Sequence, residues 1–191
     1  MKIILTLCLL FTLVSCGIQS IPMAENELEA SWAEVQNQYK RRSDLVPNLV
    51  EVVKGSAAHE KETLEGVINA RAKATQVSLN VSELNEANMK RFQQVQGELS
   101  GALARLMAVS ENYPQLKANE NFRDLQVQLE GTENRITVAR NRYIESVKGF
   151  NNQVTVPPTS WTNSLFFHKE KKAQFQVENI ETIQNAPAVK F

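Results

Sequence analysis

From Phe122 to Val154 the apolar residues keep an unbroken helical spacing: Phe122, Leu125, Leu129, Thr132, Ile136, Ala139, Tyr143, Val147, Phe150 and Val154. Steps of three and four put them all on one stripe of an α-helix. At about 1.5 Å per residue that helix is about 50 Å long. Such a rod cannot close on itself, so helices of similar length must lie alongside to cover the stripe, crossing at about 20°.

The covering helices are visible upstream. Phe92, Val95, Leu99, Ala102, Leu106 and Val109 form a second stripe, and Leu28, Trp32, Val35, Tyr39, Val46, Leu49 and Val53 a third. Pro47 interrupts the third, since its ring opposes the carbonyl of Ser43. Either that helix kinks there, or it ends near Arg42 and restarts with Ser43 or Asp44 as cap and Pro47 inside the first turn. The periodicity fades over residues 56–62 and returns at Leu64, Ile68 and Ala74. Asn80-Val81-Ser82-Glu83 then offers a capping box for the next helix, and Tyr113-Pro114 marks a turn. The body, 24–154, is therefore all-α. Val156-Pro157-Pro158 stops the last helix, and residues 155–191 read as an irregular C-terminal strap whose Trp161, Phe166, Phe167, Phe175 and Phe191 have no helical period. Packing on the outside of the bundle is their expected role, with an exposed aromatic face for a partner or bilayer as the alternative.

Before the body, Met1 and Lys2 lead an apolar run from Ile3 to Val14. Its twelve residues rise only about 18 Å, short of the roughly 20 residues needed to span a bilayer, so 1–15 reads as a cleavable signal. Leu13-Val14-Ser15-Cys16-Gly17 resembles a lipobox, which makes Cys16 the expected lipid attachment site. Two chains on its sulfur and one on its amine, each buried methylene adding about 0.8 kcal/mol, would hold the protein at the membrane. Residues 16–23 are expected to be the tether. Position 17 is not Asp, which favours sorting to an outer membrane where the host has one.

Cys8 leaves with the signal, so no disulfide or thiolate site is expected in the mature chain. Loss of Lys2 from 21 basic and 21 acidic side chains leaves a net charge of minus one. That near-neutrality argues against nucleic-acid binding. No catalytic constellation, metal site or cofactor is expected. The two histidines left, His59 and His168, follow Ser56 and Leu165 at the position where a di-iron bundle needs Glu, and no Gly-rich phosphate loop is present.

The string Tyr39-Lys40-Arg41-Arg42-Ser43-Asp44-Leu45-Val46-Pro47-Asn48-Leu49-Val50 resembles the opening signature of the LemA family. Val53-Lys54-Gly55, His59-Glu60-Lys61-Glu62-Thr63-Leu64, Ala70-Arg71, Glu111-Asn112-Tyr113-Pro114 and Leu129-Glu130-Gly131-Thr132-Glu133-Asn134-Arg135-Ile136 continue it. The resemblance implies an antiparallel four-helix bundle, N-terminal membrane attachment and an envelope location, and brings no catalytic residues. Most members keep an N-terminal transmembrane helix, where this chain shows a lipobox.

Lys40, Arg41, Arg42, Asp44 and Asn48 admit two readings. They cap and solvate the proline break, Asn48 bonding a carbonyl that Pro47 frees and the basic triplet complementing a helix end. Alternatively they form a recognition patch for an acidic partner or phosphate groups. His59 to Glu62 read as a solvated helix face. The expected function is a non-catalytic scaffold or adaptor, anchored by lipid and serving membrane-proximal proteins, with pairing to a second copy open. An enzyme with an unfamiliar carboxylate site is the alternative.

Overall fold

A computed structural model describes residues 2–176, with side chains from Ile18 onward. Among these the chain is all helix and connection. Its elements are α1 (Lys2–Ser56), α2 (Lys61–Gln76), a 3₁₀ turn (Val81–Glu83), α3 (Glu86–Ser110), α4 (Pro114–Ala118), α5 (Glu120–Thr155), α6 (Thr159–Thr162) and a π-helical turn (Asn163–Phe167). Cys16, as a side chain, and the strap beyond Gln176, including Phe191, lie outside the described residues.

α1, α2, α3 and α5 run up, down, up and down. Ser31 meets Ser146 and Arg42 meets Glu133, which sets α1 against α5 antiparallel over most of their length. Arg71 reaches Ser43 across the α1–α2 turn, and Lys73 reaches Glu98 across the α2–α3 turn. The expected α5 stripe is buried throughout except Leu125, which is half-buried. On α3 the buried line is Met89, Phe92, Gln96, Leu99, Leu103, Leu106 and Ser110, with Val95, Ala102 and Val109 on its flank. On α2, Leu64, Val67, Ala70 and Ala74 face inward, whereas Ile68 is half exposed.

The capping box forms, with Asn80 N–H donating to Glu83 Oε2, but it caps the 3₁₀ turn. α3 has its own cap, Asn85 Oδ1 accepting from Asn88 N–H, and Asn119 Oδ1 likewise accepts from Phe122 N–H at the head of α5.

The helix that holds the third stripe starts earlier than Ala24. α1 is already helical where its side chains are first described, and Ile21 is fully buried. The stretch 16–23 is thus helix and not an extended leash. It rises about 12 Å where an extended chain would reach about 25 to 30 Å. Nor does α1 end near Arg42; it runs through Pro47.

Two apolar clusters fill the bundle. One gathers Trp32, Tyr39, Phe92, Tyr143, Phe150 and Phe175; the other Leu49, Val53, Leu99, Leu106, Leu116 and Phe122. α2 and α3 stop short of the α1–α5 stem, and the strap covers what they leave open. It contains helical turns where no period was legible, because α6 and the π turn are too short to show one. Tyr143 Oη donates to Ala173 O, Ala173 N–H donates to Leu84 O, and the Asn151 amide bonds both backbone groups of Lys172. Phe175 enters the core edge-on to Tyr143 at 5.3 Å and stacks under the Arg140 guanidinium at 4.6 Å. Phe167 is half-buried. Trp161 and Phe166 instead stand in solvent.

Candidate functional site

The segment around Pro47 does not present one polar patch. Successive residues of a helix point about 100° apart, so neighbours in sequence part company. Lys40, Arg41, Asp44 and Asn48 are exposed, and Lys40 lies 3.8 Å from Asp44 one turn on. Arg42 turns inward and is 1% exposed, so the basic triplet is divided. A partner on the surface cannot reach Arg42, which leaves the recognition reading only Lys40, Arg41, Asp44 and Asn48.

Inside the bundle, Arg42 Nη1 donates to Ser100 Oγ at 2.6 Å and to Glu133 Oε1 at 2.9 Å. Its Nη2 donates to the Gln96 carbonyl at 3.1 Å and to Gln96 Oε1 at 2.7 Å. The guanidinium lies 5.0 Å from the Tyr39 ring centre. Gln96 Nε2 then donates to Ala74 O at the end of α2, so one charge ties all four long helices. This layer separates the two apolar clusters. Arg42 Nε is left without a hydrogen-bond partner.

Pro47 has no N–H, so the Ser43 carbonyl loses its helical donor. Arg71 on α2 replaces it: its Nε donates to Ser43 O at 2.8 Å. Neither Asn48, which faces solvent, nor a helix end at the basic triplet does this work, and that reading is corrected. A charge-assisted bond from a neighbouring helix lets α1 continue through the proline.

At the far end of the bundle, Tyr113 Oη donates to Glu60 Oε1 at 2.9 Å and pins the α3–α4 turn to the α1–α2 turn. Glu60 therefore has a partner across the fold and is not simply solvated. Its hydrogen bond raises the Tyr113 pKa, while burial raises those of Tyr39 and Tyr143. His59 is exposed in the turn and His168 lies on the strap, at a left-handed backbone position with φ of 52°.

Two clefts share Tyr39 and Gln96 in their lining. One, of about 310 Å³, lies among Gln36, Lys40, Asp44, Thr75 and Ser78; the other, of about 340 Å³, among Gln93, Ser100, Glu133, Thr137 and Arg140. Both are open to solvent. The second exposes part of Glu133, but that carboxylate already receives Arg42. No group of three or more His, Cys, Asp or Glu among the described residues could hold a metal ion.

Sequence reasoning missed Gln96, Glu133 and Arg71 as partners, although one signal pointed to Arg42. The buried series of α1 steps from Tyr39 to Val46, and the position completing the three-four spacing between them is 42.

A family model described as "LemA family" matches residues 31–191. Two magnetosome proteins of Paramagnetospirillum magneticum (strain ATCC 700264 / AMB-1), MamQ 1 and MamQ 2, are each 24% identical to the chain over 172 residues. The match covers 81% of the chain and 62% of either relative, so the chain spans less than two thirds of their length.

Proposed function

The chain belongs to the LemA family, and from that premise we propose that it is a membrane-anchored, non-catalytic protein of the cell envelope that serves as a scaffold or adaptor for membrane-proximal proteins. The anchor in this reading is lipid on Cys16, and sorting to the periplasmic face of an outer membrane follows from Gly17 where the host has that membrane. Among the described residues no helix is long and apolar enough to cross a membrane.

The observation that carries the non-catalytic reading is the use made of the buried polar groups. Arg42 donates to Ser100, Glu133 and Gln96, so its charge and their acceptors are committed to each other. An acid–base catalyst needs a titratable group aimed at substrate. Here the polar layer is spent on joining helices. What remains for partners is the outer face of α1, where Lys40, Arg41, Asp44 and Asn48 stand in solvent on a rigid element. Charged groups on such a surface govern encounter and selectivity for an oppositely charged face.

Two measurements test the reading. A Cys16→Ser change should move the protein from the membrane fraction to the soluble one, and mass spectrometry of the native N-terminal peptide should find Cys16 acylated and residues 1–15 gone. An unmodified Cys16 would remove the lipid anchor. For the adaptor role, in-cell crosslinking should capture a reproducible partner that is lost in Lys40→Gln/Arg41→Gln; unchanged capture would acquit that face.

A further inference from the structure

Most of the large apolar side chains that the bundle leaves uncovered lie at one end, Ile68, Val127 and Val138 being the exceptions. Trp161, Leu165 and Phe166 are 65%, 71% and 62% exposed, and Met23 on α1 is 68% exposed. Their exposure does not come from a loose segment. α6 packs against both α1 and α5. Asn163, buried, donates from its side chain to Val154 O and Lys169 O and accepts from Lys169 N–H. Lys169 Nζ in turn pairs with Glu25 Oε1 at 2.8 Å, which bolts the turn to the first part of α1.

The α1–α5 register fixes where this end lies. With Ser31 opposite Ser146 and Arg42 opposite Glu133, Thr155 comes level with about residue 22, and the turn that follows stays near that level, Asn163 reaching Val154 O and Lys169 reaching Glu25. The turn thus stands beside the stretch where the apolar run Ile3–Val14 and Cys16 join the bundle. Because 16–23 is helical, no slack separates that junction from the bundle. Lys171 and Lys172 follow on the strap, with Lys172 held at the level of Asn151, about one helical turn farther from the junction.

We infer that Trp161, Leu165 and Phe166 form a foot that rests in the interfacial layer of the bilayer and fixes the tilt of the bundle on its anchor. The inference rests on the reading that the N-terminal segment attaches the chain to a membrane. An indole and neighbouring aliphatic and aromatic groups suit the headgroup boundary, and the two lysines behind them suit anionic phosphates. A short anchor without a second contact would leave the rod free to swing. The foot supplies that contact.

The test uses the full-length protein, reconstituted through its own anchor into vesicles of phosphatidylethanolamine and phosphatidylglycerol brominated in the upper acyl chain. The chain has two tryptophans, and Trp32 is buried in the core. Trp161 emission should shift to shorter wavelength and lose intensity to the bromines, and Trp161→Phe should abolish both responses. Vesicle-bound protein whose Trp161 is quenched by aqueous acrylamide and not by bromines would overturn the foot and leave the anchor standing. Shielding from both quenchers would assign the patch to a protein surface, a second copy included, and equally overturn it. Failure to float with vesicles at all would remove the anchor reading and the foot with it.

Discussion

The substitution of Arg71 by Met isolates the bond that carries α1 through its proline. Methionine keeps much of the aliphatic stem and removes the guanidinium. What is lost is a 2.8 Å charge-assisted hydrogen bond to the Ser43 carbonyl, on a residue that is 3% exposed. Hydrogen bonds to charged groups contribute about 1.5 to 3 kcal/mol, and an unpaired buried acceptor costs about 1 to 3 kcal/mol, two views of the same loss. Arg71→Met should therefore destabilise the fold by about 2 kcal/mol. Pro47→Ala supplies the missing N–H from within α1, so the carbonyl no longer depends on α2. In that background Arg71→Met should cost about 1 kcal/mol or less, a coupling of about 1 to 2 kcal/mol. Chemical denaturation followed by helical circular dichroism, on the wild type, both single variants and the double, measures it. Additivity within about 0.5 kcal/mol would refute the pairing of Pro47 with Arg71.

The split of the basic triplet gives a second contrast. Arg42→Gln leaves the Glu133 and Gln96 acceptors unmatched and should cost about 3 kcal/mol, whereas Lys40→Gln/Arg41→Gln on the surface should shift stability by less than about 0.5 kcal/mol, both read as denaturation midpoints. Phe175→Ala removes the ring that plugs the strap into the core and should destabilise by about 3 kcal/mol. Hydrogen exchange should then rise first at Ala173, whose N–H bonds Leu84 O. Alkaline titration tests the tyrosines: Tyr39, Tyr113 and Tyr143 all have folded pKa values raised above the ordinary 10.0. Their contribution to stability is complete below the unfolded value and is lost as pH rises through the folded ones. Tyrosinate absorbance should lag behind that of the denatured chain; coincident titrations would contradict the burial of Tyr39 and Tyr143.

The long helices were legible because burial imposes a period on sequence. Leu28, Trp32, Val35 and Tyr39, or Ile136, Ala139 and Tyr143, could be placed on inner faces before any coordinates. The polar core position Gln96 was not, since it looks like a surface residue until its partners on α1 and α2 are known. The α2 face was misjudged at Ile68 because a short helix of mixed residues leaves two nearby stripes equally plausible. Pro47 read as a kink or a break because the donor that rescues Ser43 lies 28 residues away. The expected lipid site is the reverse case. Leu13 to Gly17 read clearly in sequence, while the Cys16 side chain lies outside the described residues.

The polar layer also bears on why this sequence adopts one register. Apolar stripes alone tolerate sliding by a heptad, since Leu129, Ile136 and Tyr143 are interchangeable as inward-facing groups. Sliding α5 by seven residues, about 10 Å, would keep those residues inside but would bring either Gln126 or Arg140 to the place of Glu133. The first leaves the Arg42 charge without a counterion; the second sets two guanidinium groups against each other. On α3 the same slide would exchange Gln96 for Met89 or Leu103, neither of which can accept from Arg42 as the glutamine amide does. Each alternative strands a buried charge, which costs several kcal/mol, and the observed register satisfies it with acceptors on α3 and α5 at once. Arg42 is therefore best understood as the residue that aligns the bundle, and the surface beside it as the part left free for partners.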